Sequence, residues 1–306
     1  MKHKLLALTL GAAVSVGAVA SPVPSLPSGP LFIKFNNSEQ IAVVGSTGTA
    51  FGDSAEVNWG NLVVSTINRG VVPTPADPNT IVSTGASVFN DISSGGQITG
   101  MFYGVHKLPP GTGGNAFPAT AGFLDLYYRD LSTMTTTDLA TSTPGGRTAL
   151  DKSTGFTEGT FLVHLAFASG VNALSSSVFI NGTFVPAPGP SGFFGVATSF
   201  ANVADTNGDA VINSADGAYA TKLNTDYFVT PFGKRDFRFR NIYEQLPGWN
   251  GACPVDGAGV PTGPDCILGA NSTDPATTSA VPEPASLALV GLGLMGVAAI
   301  RRRRNV

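Results

Sequence analysis

Three aspartates and two asparagines fall within the segment Asp205-Thr206-Asn207-Gly208-Asp209-Ala210-Val211-Ile212-Asn213-Ser214-Ala215-Asp216. A calcium ion takes about six to eight hard oxygen donors, and a twelve-residue loop supplies them from alternating positions and a final acid. Asp205, Asn207, Asp209, the Val211 carbonyl, Asn213 and Asp216 occupy those positions. Ile212 is placed to plug the loop into a core, and Ser214 to Leu223 is expected to continue as a short helix that carries Asp216 to the ion. Two positions depart from the ideal. Asp216 is shorter than the usual glutamate, and Ala210 stands where the sharp turn favours glycine, at a cost of about 1 kcal/mol or more if φ is positive. The spacing predicts a structural calcium site; the other reading is a metal-free surface loop closed by Asn and Asp side chains.

Few other residues suggest chemistry. The histidines are His3, His106 and His164, and no His-Glu-x-x-His, Gly-x-Ser-x-Gly or clustered Cys/His set accompanies them. A glycosidase could use two distant carboxylates such as Asp125 and Glu158, which no motif would reveal. No catalytic residues are assigned and no enzyme is expected. Between Ser21 and Ala280 there are 11 basic and 19 acidic residues, a net charge near −8 that the overall −3 conceals. An acidic body lacks the basic stripe that nucleic acid requires. Lys234, Arg235, Arg238 and Arg240 form its one basic cluster, which could attract an anionic polysaccharide.

The elements that must position these residues read as β structure. With 38 glycines and 22 prolines in 306 residues and no Gly-X-Y period, collagen is excluded and a mostly helical chain is disfavoured. Strand-length runs rich in Val, Ile, Phe, Tyr and Thr recur at 32–35, 40–44, 57–67, 80–92, 97–103, 123–128, 160–168, 177–185 and 193–200. Gly, Pro, Asn and Ser clusters separate them. The fold expected is all-β, an antiparallel β-sandwich or jelly-roll-like ectodomain with a short calcium loop-helix insertion. Asn181-Gly182 is the expected two-residue hairpin turn, and 227–233 with 237–240 the expected closing hairpin, Phe237 and Phe239 facing one side, Arg238 and Arg240 the other.

The two ends read as addresses. Lys2 and Lys4, the apolar run from Leu5 to Val19 and Ala18-Val19-Ala20 form a signal peptide, with cleavage by signal peptidase expected after Ala20. Cys253 and Cys266, in an exported chain, are expected to form one disulfide worth about 3 kcal/mol in the chain-entropy account. At the other end Pro282-Glu283-Pro284 leads into an uncharged span, 285–300, closed by Arg301, Arg302, Arg303 and Arg304, which would stay cytoplasmic. The expected division is 1–20 signal peptide, 21–246 β-rich ectodomain, 247–280 Gly/Pro-rich disulfide loop and tether, and 281–306 sorting signal with a C-terminal transmembrane helix.

Residues 281–306 closely resemble the PEP-CTERM sorting signal of Gram-negative bacteria. The resemblance implies a brief stay in the inner membrane, removal of the tail by exosortase, and delivery to the cell surface or extracellular matrix. Separately, the Asp205–Asp216 spacing is similar to a single dockerin calcium repeat, in which Asp at the twelfth position is normal; the absence of a second copy leaves cohesin recognition unimplied. The layout also resembles, weakly, flocculation-associated PEP-CTERM proteins. The function expected is therefore a non-catalytic structural or adhesive surface protein of biofilm or flocs, with exopolysaccharide or matrix proteins as partners. The alternative is a carbohydrate-binding or carbohydrate-processing secreted protein.

Overall fold

The computed structural model describes residues 22–43, 51–108, 117–186, 193–251 and 266–281. The strands in chain order are β1 (Gly29–Val43), β2 (Glu56–Val71), β3 (Val82–Asn90), β4 (Gly96–Lys107), β5 (Phe117–Thr120), β6 (Phe123–Asp130), β7 (Arg147–Ala149), β8 (Lys152–Ser153), β9 (Thr160–Ala168), β10 (Ile180–Pro186), β11 (Phe193–Val203), β12 (Phe228–Thr230), β13 (Gly233–Arg235), β14 (Phe237–Gln245) and β15 (Cys266–Ala280). One four-residue helix, α1 (Ala220–Leu223), lies between β11 and β12.

The fold is all-β and antiparallel, but the strands do not form the expected sandwich or jelly roll. β1, β2, β4, β6, β9, β11, β14 and β15 pair in that sequence, each antiparallel to the next, and β15 pairs back onto β1. The pairing closes into an eight-stranded up-and-down barrel, so none of the eight wall strands is an edge, while β3 lies outside the ring and pairs with β2. Where β4 and β11 run beyond β6 and β9, β5 and β10 complete the wall: His106 and Lys107 pair with β5, β5 pairs with β10, and β10 with β11.

Period-2 alternation sets the two faces of this wall. Along β14, Phe237, Phe239 and Tyr243 are buried, whereas Arg240, Ile242 and Glu244 are exposed. On β1, Leu31, Ile33 and Phe35 are buried between exposed Lys34 and Asn36. Inside, the Phe239 ring meets Phe35 edge-on at 6.3 Å and Phe167 at 5.9 Å, and stacks on Phe237 at 5.9 Å. Such ring pairs contribute about 0.5–1.5 kcal/mol each beyond their burial. One end of the barrel is stoppered. Ala220 and Leu223 of α1, with Tyr219 just before it, join the barrel core, and the Tyr219 hydroxyl donates to the Pro24 carbonyl at 2.5 Å. This end is the floor; the opposite end, where β1 finishes and β2 begins, is the mouth.

Four expectations are corrected. The closing hairpin expected from 227–233 and 237–240 does not form, because β12 turns back onto β13 and β14 pairs instead with β11 and β15. Asn181 and Gly182 lie within β10, paired with β5 on one side and β11 on the other, so two-sided pairing overrides their hairpin preference. The tether over 247–280 gives way at both its described parts. Residues 266–280 are β15, paired with β1 at all fifteen positions, and Trp249 is buried. The Ala, Ser and Thr side chains that suggested a linker are small wall residues, with Ala270, Ser272, Ala276 and Thr278 buried opposite the larger side chains of β1. The runs at 32–35 and 40–44 join in one strand through Asn37, Ser38 and Glu39, all buried despite their polarity. Among the described residues no helix is long and apolar enough to cross a membrane. The signal peptide at 1–20 and the span at 285–300 lie outside the described residues.

Candidate functional site

The 205–216 loop connects β11 to the floor. Asp205 accepts hydrogen bonds from the backbone of Asn207 at 2.9 Å and Gly208 at 2.8 Å on one oxygen, and of Ala210 at 2.6 Å on the other. Asn207 accepts from the Asp209 N–H at 2.9 Å and Asp209 from the Val211 N–H at 2.8 Å, while the Asn213 amide donates to Asp209 and to the Val211 carbonyl, both at 3.0 Å. Ala210 has φ of 63°, so the turn at the sixth position is left-handed as the spacing required. Ile212 packs against the barrel core, but the helix expected over Ser214 to Leu223 is interrupted: Ser214–Asp216 forms one turn of 3-10 helix, Gly217 ends it with φ of 128°, and α1 starts only at Ala220.

Asp216 is inaccessible to solvent. One of its oxygens accepts from the Thr206 N–H at 2.8 Å and hydroxyl at 2.9 Å, the other from the Asn213 N–H at 2.9 Å. These backbone donors, Thr206 first and Asn213 second, hold its carboxyl below the usual aspartate range. Asp216 therefore acts as an internal clasp. Remaining lone pairs on Asp205, Asn207 and Asp209 could meet a cation, but among the described residues no three His, Cys, Asp or Glu side chains converge on a metal position.

On the outer wall, Tyr103, Asp125 and His164 meet across β4, β6 and β9. His164 Nδ1 lies 2.6 Å from Asp125 Oδ1, the Tyr103 hydroxyl donates to Asp125 Oδ2 at 3.0 Å, and the Phe123 ring stacks on the imidazole at 5.0 Å. Such a carboxylate orients an imidazole, yet the hydroxyl brought to this pair is spent on the carboxylate itself. Glu158 is held separately by the Gly155 N–H and Arg129, which lower its pKa. The two carboxylates named as a hydrolytic pair thus have different partners. Nearer the mouth, Arg147 and Glu56 form a two-point ion pair at 2.6 and 2.9 Å with both side chains inaccessible. The guanidinium lies 4.6 Å from the Trp59 ring. Arg235 of the basic cluster is buried and donates to the Ser169, Lys234 and Phe232 carbonyls.

The upper barrel encloses a cavity of about 120 Å³. Its deeper wall is Phe35, Leu62, Phe102, Leu124, Phe167 and Phe239, while Asn37, Glu39, Asn58, Ser199 and Asn241 bring polar atoms to the same space. Glu39 accepts from the Asn58 amide at 3.0 Å. Burial pushes its carboxyl from 4.5 up to about 7, against the opposing pull of the Asn58 and Asn37 amides. The Asn37 amide oxygen accepts from Ser272, but its nitrogen makes no well-directed hydrogen bond, and the Asn241 amide oxygen has no donor.

The sorting residues Pro282, Glu283, Pro284 and Arg301 to Arg304 lie outside the described residues, but a family model for the PEP-CTERM protein-sorting motif matches residues 280–304. The chain carries a PEP-CTERM motif. That motif implies an exported protein, sorted by way of the membrane and processed by exosortase. It begins at Ala280, the last residue of β15, so the motif follows directly on the barrel wall. No curated protein and no solved structure matches the chain. Neither the flocculation-associated resemblance nor the dockerin-like loop gains support from these comparisons. Cys253 lies outside the described residues and Cys266 begins β15, so the expected disulfide falls outside them as well.

No motif in the sequence marks the cavity's polar residues as a site. Their signal was there, because Phe35, Asn37, Glu39 and Ile41 share one parity on a single strand.

Proposed function

We propose that the mature chain is a non-catalytic surface or extracellular-matrix protein of a Gram-negative bacterium, with a structural or adhesive role in biofilm or flocs. The PEP-CTERM motif immediately after the barrel's last strand is the observation that carries this reading. It gives the barrel a route to the surface, where exopolysaccharide or matrix proteins are its partners. The commitment of Asp125, His164, Glu158, Glu56 and Arg147 to one another or to neighbouring groups supports a scaffold over an enzyme.

Cell fractionation with mass spectrometry of the mature termini tests the route. The expected product is a surface or matrix protein lacking Arg301 to Arg304, lost from that fraction when Pro282-Glu283-Pro284 is replaced by alanines. Intact arginines on the surface-attached protein would count against sorting. Unchanged aggregation and matrix retention in a strain lacking the protein would remove the adhesive role.

A further inference from the structure

Eight strands enclose an interior that either fills with side chains or retains room for one small ligand. This barrel does the first at its floor and the second towards its mouth. Below, α1 stoppers the core; above, Gly182, Ala197 and Ala119 line the cavity with little or no side chain. We infer that the upper barrel is a binding site for a small neutral amphiphile, its apolar chain among Phe35, Phe102, Phe167 and Phe239 and its hydroxyl or amide head at Glu39, Asn37 and Asn241. The inference is independent of the adhesive role proposed above.

Size limits the ligand. A cavity needs about 10–15 Å³ by this measure for each water-sized occupant, so about 120 Å³ takes roughly ten non-hydrogen atoms. That is a chain of some eight carbons with a compact head. Polarity defines the head. Asn241 has a buried amide oxygen without a donor, and Asn37, 2% exposed, holds its amide beside the Glu39 carboxyl. An unpaired buried acceptor of this kind is costly, and a head that donates a hydrogen bond would satisfy it. Glu39, itself 6% exposed, lies in the same space and keeps a hydrogen bond to Asn58. A carboxylate head would face the Glu39 carboxyl, and an ammonium head would be desolvated on entry. Lys107 also lines the cavity, where a carboxylate could approach it, so charged ligands make discriminating controls.

The experiment is calorimetric and NMR titration of the full chain at neutral pH with 1-octanol, octanoate and octylamine. Saturable one-to-one binding of 1-octanol is expected, at least tenfold tighter than either charged analogue, with contacts from the ligand chain to the Phe35 and Phe239 ring protons. Ala197→Phe, which places a ring into the cavity opposite Asn241, should abolish binding. Asn241→Leu should weaken it about tenfold, the loss expected for one buried hydrogen bond. If Ala197→Phe does not fold, the ring contacts in the unmodified chain decide the location. No saturable binding up to the solubility limit, contacts outside the barrel, or undiminished binding to a folded Ala197→Phe would overturn the site. Tighter binding of octanoate or octylamine would overturn the assignment of a neutral head.

Discussion

Replacing Glu39 by glutamine should stabilise the barrel at neutral pH, although it exchanges a hydrogen-bonded carboxyl of the interior for an amide. The carboxyl is 6% exposed and titrates near 7 in the folded chain against 4.5 when solvated. Below pH 4.5 both states hold the proton and the group is neutral in each. As the pH rises from 4.5 to about 7, the unfolded chain releases its proton while the folded chain retains it, so the equilibrium moves towards unfolding. The favourable contribution is thus fully present below 4.5 and gone above about 7. The gap between 4.5 and about 7 corresponds to about 3–4 kcal/mol, of which about 3 falls between pH 4.5 and 8. Glutamine keeps the shape, can still accept from Asn58 and does not titrate. Urea unfolding followed by tryptophan fluorescence is a suitable assay, since Trp59 and Trp249 are both buried. Taking the difference between the two proteins at each pH cancels the other titrating groups. The expected gain for Glu39→Gln grows by about 3 kcal/mol between pH 4.5 and 8, or some 6–12 °C in Tm at the upper pH. A difference that stays flat over this range would refute the reasoning.

Other consequences are equally open to measurement. Arg147→Met leaves the Glu56 carboxylate buried with the Gly104 N–H as its remaining donor, and thermal unfolding should show a loss of about 3–5 kcal/mol; Glu56→Leu together with Arg147→Met should recover most of it, and purely additive losses would contradict the pairing. Gly217→Ala should cost more than about 1 kcal/mol in the same assay, because Gly217 has φ of 128° and a Cβ there would stand 2.3 Å from the Leu162 carbonyl oxygen. For the calcium site that the 205–216 spacing predicts, titration after chelation should show binding in the millimolar range or tighter, lost in Asp209→Ala; absence of heat, or equal heat from the variant, would remove it.

The inner face of this barrel was legible in the sequence where apolar and polar residues alternate cleanly. The alternation puts Phe237 and Phe239 on one side of a strand and Arg238 and Arg240 on the other, and the burial follows that division. The run at 160–168 became β9 with the same limits. Closure was not legible, because it depends on β15, whose small and polar residues have the composition of a linker until β1 and β14 lie on either side. Asn181-Gly182 misled for a related reason: a local turn preference of modest size yields to pairing on both sides. At 205–216 the spacing located a left-handed turn at Ala210 and an anchoring Ile212, because those are local requirements. The inward use of Asp216 depended on Thr206 and the helix turn that follows, and counting oxygen donors along the chain did not reveal it.

Pairing of Gly29 with Ala280 places the first and last wall strands side by side at the floor. A secretion intermediate that stops short of residue 266 would lack this seam, leaving two open edges able to recruit other chains. Closure must wait for almost the whole polypeptide to cross the membrane. Val281 then leaves from the floor, its N–H donated to the Lys222 carbonyl at 2.9 Å. A surface holding the chain by its processed C-terminus would therefore display the barrel with its mouth directed outward.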